Sequence, residues 1–105
     1  MLQNAAVFNR YPGGFSSAYV VAAQVVKAAP GTLCRIVVVA PGTGGALTVN
    51  DCLTVGAAAA DNAILSVPFG SLTGGQIFTL LWPCLVGIVV SALPSGGGAV
   101  SISYG

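Results

Sequence analysis

The sequence predicts an all-β protein, a sandwich or barrel. Three observations lead there. Gly- and Pro-containing breaks recur along the chain at short, regular spacing. The runs between them are rich in Val, Ile and Thr. Several runs also alternate with the two-residue period of a half-buried strand: Val100, Ile102 and Tyr104 against Ala99, Ser101 and Ser103, and Leu47 and Val49 against Thr48 and Asn50.

The chain has 105 residues, enough for one small domain. Residues 1–17 mix polar, Gly and aromatic residues without either period and are expected to form an extended N-terminal arm. Residues 18–105 are expected to form the β-sandwich domain. The first apolar run, AYVVAAQVVKAA at 18–29, ends at Pro30-Gly31. TLCRIVVVA at 32–40 ends at Pro41-Gly42-Thr43-Gly44-Gly45, a linker that fits a hairpin joining this run to ALTVND at 46–51. The alanines 57–60 suit a helical turn or an edge segment, being too few for a helix. AILSVPF at 63–69, the stretch from Gln76 to Leu93, and AVSISY at 99–104 complete the set.

The stretch IFTLLWPCLVGIVVSAL, 77–93, raises the question of a membrane span. Its 17 residues fall short of the roughly 20 a spanning helix needs. Pro83 sits near its middle and neither end carries Lys or Arg. Divided at Trp82-Pro83-Cys84, it becomes two strands, IFTLL and LVGIVVSAL, and this division is preferred.

Charge limits what the chain can do. Arg10, Lys27, Arg35, Asp51 and Asp61 make up 5% of the residues, where a soluble domain carries about 25%. Three scattered cations cannot follow a phosphate backbone, so no direct nucleic-acid contact is expected. VVAAQVV, IVVV and LVGIVV are apolar on both faces. One face can enter the core; the other calls for cover by a further subunit or a larger shell. A homo-oligomer, dimer or trimer, is therefore expected.

No catalytic pattern emerges. There is no histidine, which removes Ser-His-Asp and Cys-His arrangements. Asp51 and Asp61 lie in turn-like Val49-Asn50-Asp51 and Ala60-Asp61-Asn62. PGTGGAL lacks the Gly-Lys-Ser/Thr of a phosphate loop. Cys34, Cys52 and Cys84 have no metal-ligand spacing and are expected as small buried residues in a reducing compartment, the alternative being a disulfide between two of them that leaves one unpaired. No enzyme activity, cofactor or metal is expected. The N-terminal MLQNAAVFNRYPGG has neither the positive start nor the unbroken apolar run of a secretory signal. The chain is expected to stay in the cytoplasm where it is made or to enter a particle assembled there.

PGTLCRIVVVAPGTGGALTVNDC, with the later AILSVPF, GQIFTLLWPCLVGIVVSAL and GGAVSISY, resembles the small β-rich virion proteins of tailed bacteriophages. The matching positions are Gly31, Thr32, Leu33, Gly42, Thr43, Gly44, Gly45, Leu47, Thr48, Asp51, Gly87, Ile88 and Tyr104, within about 18–104. The departure is Trp82-Pro83-Cys84-Leu85-Val86, where such chains more often carry a polar residue. The resemblance implies a capsid decoration, or cement, protein with a jelly-roll-like sandwich, located on the virion and bound to the major capsid protein, without membrane contact. Expected interface residues are Phe8, Arg10, Tyr11 and Phe15 of the arm, with Trp82 and Leu85 of the late strands. The alternatives are a tail, baseplate or fibre component, and a small membrane protein using 77–93.

Overall fold

A computed structural model describes residues 16–105. The arm residues Phe8, Arg10, Tyr11 and Phe15 lie outside the described residues. The described residues form eight strands: β1 Ser16–Val20, β2 Gln24–Lys27, β3 Gly31–Ala40, β4 Ala46–Asn50, β5 Ala63–Pro68, β6 Ile77–Cys84, β7 Ile88–Ala92 and β8 Ala99–Tyr104. They form two antiparallel four-stranded sheets, in the order β1-β8-β3-β6 and β2-β7-β4-β5. The protein is an all-β sandwich, as its alternation and turn spacing predict.

The pairings follow one rule. β1 pairs with β8, β2 with β7, β3 with β6 and β4 with β5. The chain is thus a long antiparallel hairpin with its tip at β4–β5, rolled so that successive rungs alternate between the two sheets. Lateral pairs β3–β8 and β4–β7 close each sheet. Ser16, the 28–30 link, the 51–62 loop and the 85–87 turn consequently gather at one end of the sandwich. The 41–45 and 93–98 links gather at the other.

The core is built from the inward residues of both sheets. Val20, Ile36, Val38, Val100 and Ile102 from the first meet Leu47, Val49, Ile88 and Val90 from the second. Tyr104 and Phe78 pack on its margin. Each buried aliphatic side chain of this kind contributes about 1.5–3 kcal/mol over its exposed state.

Three expectations need correction. The Pro41–Gly45 link is not a hairpin, because β3 and β4 belong to different sheets. Gly42 and Gly45 take positive φ (74° and 75°) to carry the chain across. The link is pinned instead to the 93–98 loop, through Thr43 N–H to the Ser95 carbonyl at 2.8 Å and Ser95 N–H to the Gly44 carbonyl at 2.9 Å. The run 18–29 is two strands, one in each sheet, and β1 already includes Ser16 and Ser17. Finally, the late apolar stretch does not divide at Trp82-Pro83-Cys84: β6 runs through these residues and the break falls at 85–87.

The hydrogen bonds explain why Pro83 is tolerated inside a strand. Its opposite residue, Thr32, exchanges both backbone bonds with Gly105 on its other side, at 2.9 Å each. Pro83 therefore faces its neighbour without bonding, and its nitrogen points to the free edge of β6, where no donor is needed. Residues 77–93 are strands of separate sheets. Among the described residues no helix is long and apolar enough to cross a membrane.

Candidate interaction surface

The outer faces of the two sheets are treated differently. On the β2-β7-β4-β5 sheet, the outward row runs Val25–Val89–Asn50. Val89 would be an apolar patch, but it is fully buried (0% exposed). The cover is the chain's own 51–62 loop, whose helical turn Val55–Ala57 lies against β7. The alanine run supplies two 3-10 turns, Val55–Ala57 and Ala60–Asn62, consistent with the helical turn expected there.

Two asparagines hold that loop down. Asn50, only 2% exposed, donates Nδ2–H to the Ala59 carbonyl (2.9 Å) and to Asn62 Oδ1 (2.7 Å). Its Oδ1 accepts from the Ser91 hydroxyl at 2.6 Å. Asn62 Oδ1 also accepts from Ala59 N–H, and its Nδ2 donates to the Ala57 carbonyl. The buried amide is thus paired at both ends, as a buried polar group must be. A groove of about 340 Å³ remains beneath the loop, with Thr48, Ser66 and Ser91 on its floor and Ala58 and Ala60 on its wall.

Among the described residues, no loop covers the outer face of the β1-β8-β3-β6 sheet in this way. Tyr19, Ser101, Val37 and Ile77 stand in one register row across its outer face. Ser17, Ser103, Arg35 and Thr79 form the next. Tyr19 is 60% exposed, and Val39 and Ile77 are also exposed. Arg35 is the one charged side chain in these two rows. The exposed Tyr19 and Ile77 stand on this face among Ser17, Ser101, Ser103 and Thr79.

The second exposed apolar region is at the end where β1 begins. Leu81 (65% exposed), Trp82 (49%), Leu85 (78%) and Val86 lie along the end of β6 and its turn. Leu81 takes φ 48°, the left-handed region that L side chains avoid, at a bulge where β6 has one residue more than β3. Trp82 follows the bulge directly. Trp82, Leu85, Val86 and Ile64 then line a groove of about 340 Å³ with Asp51 and Asp61. Trp82 and Leu85, both expected at an interface, are brought together here and left exposed.

Asp51 has a part that its turn-like context did not disclose. Its Oδ2 accepts Leu85 N–H at 2.9 Å, and its Oδ1 accepts Val86 N–H at 2.8 Å and Gly87 N–H at 3.0 Å. Three successive amides converge on one carboxylate, the geometry of an anion nest closed by the protein's own side chain. Partial burial works to raise the carboxyl pKa, but the bonds from Gly87, Leu85 and Val86 outweigh it and hold the group below its ordinary value of 3.8. A carboxylate so engaged is ionised at neutral pH and is a strut, not a proton donor. Asp51 and Asp61 line one groove, with both oxygens of Asp51 already engaged by backbone amides. Among the described residues no three His, Cys, Asp or Glu side chains group to hold a metal.

The depressed pKa makes a pH prediction. Stability from Asp51 is fully present above the unfolded carboxyl pKa and is lost as pH falls through the lower, folded one. Urea unfolding midpoints measured between about pH 2 and 5 should fall less steeply in Asp51→Asn than in the parent chain. At neutral pH Asp51→Asn should already be the less stable, since an amide oxygen cannot serve three donors as a carboxylate does.

All three cysteines are free and buried. Burial, and secondly the nearby Asp51 charge, push the Cys84 thiol up to about 11. Burial also raises that of Cys34, with Arg35 opposing in part. A thiol reagent at about pH 8 should leave the native thiols unmodified and titrate them on unfolding, because only the accessible thiolate reacts. Rapid native labelling of Cys84 would contradict this placement.

Compared with protein-family models, curated proteins and solved structures, the chain gives no match in any of the three.

Proposed function

We propose that this chain is a non-enzymatic structural protein of a virion: a capsid decoration, or cement, protein of a tailed bacteriophage that binds the major capsid protein and stabilises the shell. The observation that carries the reading is the asymmetry of the sandwich. On one sheet the chain's own loop, held by Asn50 and Asn62, covers Val89. The other leaves Tyr19, Val39 and Ile77 open to an outside partner. A protein with 5% charged residues that covers one apolar face and leaves the second open is built to be attached to something.

The pairing of first strand with eighth, second with seventh and so on inward supports a jelly-roll assignment, an architecture that recurs in capsid domains. Attachment of this kind needs a rigid scaffold and contact area but no reaction centre. A stable contact buries about 1,200–2,000 Å² in total, and many copies around a shell reinforce modest individual affinities. A dimer or trimer on the shell agrees with the exposed end at Trp82 and Leu85.

The test is copy number. Particles banded on a density gradient are digested, and this chain is quantified by mass spectrometry against the most abundant shell protein. A ratio near that of the shell protein is expected. A small fraction would move the chain to a tail, baseplate or fibre position. Absence from particles with recovery in the membrane pellet would overturn the reading. Tyr19→Lys combined with Ile77→Lys should leave the fold intact and remove the chain from particles.

A further inference from the structure

Arg35 is a charge that the fold leaves unanswered. It sits on β3, an interior strand held on one side by β8 and on the other by β6. Its direct register partners are Ser103 and Thr79, and Ser17 lies beyond Ser103. Three hydroxyls thus share the row with the guanidinium, the nearer two on strands about 5 Å away. Two hollows flank the side chain. One, of about 190 Å³, is shared with Ser17, Ser101 and Ser103; the other, of about 250 Å³, with Thr79, Leu81 and Ser103. Neither has a carboxylate in its wall. The chain has only two acidic side chains, Asp51 and Asp61. Both oxygens of Asp51 hold the 85–87 amides, and Asp61 lines the groove at the end of β6. The chain therefore supplies no acidic side chain to Arg35 in either hollow.

These features select the ligand. A guanidinium with hydroxyls at its side suits an oxyanion, which it can hold through two parallel N–H bonds. One cation matches one carboxylate, whereas a polyanion such as nucleic acid needs a track of cations. Each hollow is smaller than the roughly 300–1,000 Å³ that encloses a small-molecule ligand, so the anion must arrive on a larger body. The neighbouring row, about 7 Å along the strands, carries Tyr19, Val37 and Ile77, of which Tyr19 and Ile77 are exposed. That body presents an apolar group beside its acid, as a protein surface does.

We propose that the outer face of the β1-β8-β3-β6 sheet receives a protein partner that sets an aspartate or glutamate carboxylate on Arg35, between Ser103 and Thr79, with an apolar side chain beside it on the Tyr19–Ile77 row. This rests on the reading of the chain as an attached protein and names the chemistry of the attachment.

The probe is an acetylated, amidated tripeptide with glutamate between two leucines, titrated into the full-length isotope-labelled protein. The control peptide carries glutamine instead. In nitrogen-edited NMR spectra the Arg35 Nε–H and the Tyr19 and Ile77 amides should shift saturably with the glutamate peptide. The glutamine peptide should bind about fivefold more weakly. Arg35→Gln should erase that difference, and Arg35→Lys, which keeps the charge but not the fork, should retain part of it. Circular dichroism confirms that each variant is folded. Equal affinity for the two peptides, or no shift at Arg35, would overturn the proposal. Inorganic phosphate at matched ionic strength that shifts Arg35 as far as the glutamate peptide does would also overturn it, assigning the site to a free anion. So would self-association lost in both Arg35→Gln and Asp61→Asn, which would place a second copy on this face. The titration uses the isolated chain, so its failure leaves the copy number in particles untouched, and absence from particles leaves the titration untouched.

Discussion

Replacing Asn50 with alanine is expected to lower the unfolding free energy by about 2–4 kcal/mol, a large share of the 5–15 kcal/mol typical of a small domain. The amide lies at the last position of β4, almost fully buried, and joins three partners. Its Nδ2 bonds reach the Ala59 carbonyl and Asn62, and its Oδ1 receives the Ser91 hydroxyl. Truncation leaves these groups unpaired in a site that water enters poorly. Ser91 has a partial alternative in the Thr48 carbonyl at 3.4 Å. The loop has none so near, so the cost falls chiefly on residues 51–62. Because this loop covers Val89, loosening it also exposes apolar surface on β7. Asn50→Asp should be worse than Asn50→Ala, since it would set a carboxylate against the Asn62 and Ala59 oxygens. Asn62→Ala, whose side chain is less buried, should cost about 1–2 kcal/mol. Urea unfolding gives the magnitudes. Limited proteolysis of the folded protein gives the location: cleavage should appear within 53–60 in Asn50→Ala at urea concentrations where the sandwich is still intact. A variant as stable and as protease-resistant as the parent would mean that the loop is held by packing alone.

The sandwich was legible because its evidence is local. Alternation in 99–104 and 46–50 places Val100, Ile102, Leu47 and Val49 inward, and all four are buried. What alternation cannot carry is the identity of the partner strand. A strand reads alike whichever sheet receives it, so the five-residue link at 41–45 looked like a hairpin although it crosses between sheets. Trp82-Pro83-Cys84 misled for a related reason. Proline breaks a strand only where its nitrogen must donate, and whether it faces a neighbour or a free edge depends on Thr32 and Gly105, far away in sequence. Covering β7 was a matter of which loop folds back. The apolar excess there called for a partner, and the partner is the 51–62 segment of the same chain. Asp51 is the clearest case. Its bonds span 34 to 36 residues, and an aspartate after a strand suggests a local turn first. The one usable signal was Gly87, a glycine inside an otherwise unbroken apolar run, which marks a close backbone approach.

That glycine carries the second large effect. Gly87→Ala is expected to cost about 3–5 kcal/mol, among the larger values for a single methyl group. A Cβ at this position would collide with the Cys52 carbonyl oxygen and stand 2.8 Å from that of Lys27. Both obstacles are backbone, so no side-chain rotation can relieve them. Lys27 belongs to β2, paired with Ile88 beside the glycine, and Cys52 follows Asp51 directly. The added methyl group must therefore push the 85–87 turn away from both. The movement pulls the Gly87, Val86 and Leu85 amides off the Asp51 carboxylate. It also strains the short β2–β7 pairing, the edge of the second sheet. Two controls separate this mechanism from a general intolerance of glycine replacement. Gly56→Ala, where nothing lies within 4 Å, should be neutral or slightly stabilising through the unfolded chain. Gly87→Ala placed on Asp51→Asn should cost less than the sum of the two changes, because each disrupts the same turn. Urea unfolding of the four chains closes the cycle. Strict additivity would show that Gly87 is required by the Lys27 and Cys52 backbone alone. Sub-additivity would show that its lack of a side chain is what lets Asp51 hold Leu85 and Val86 out at the exposed end of the sandwich.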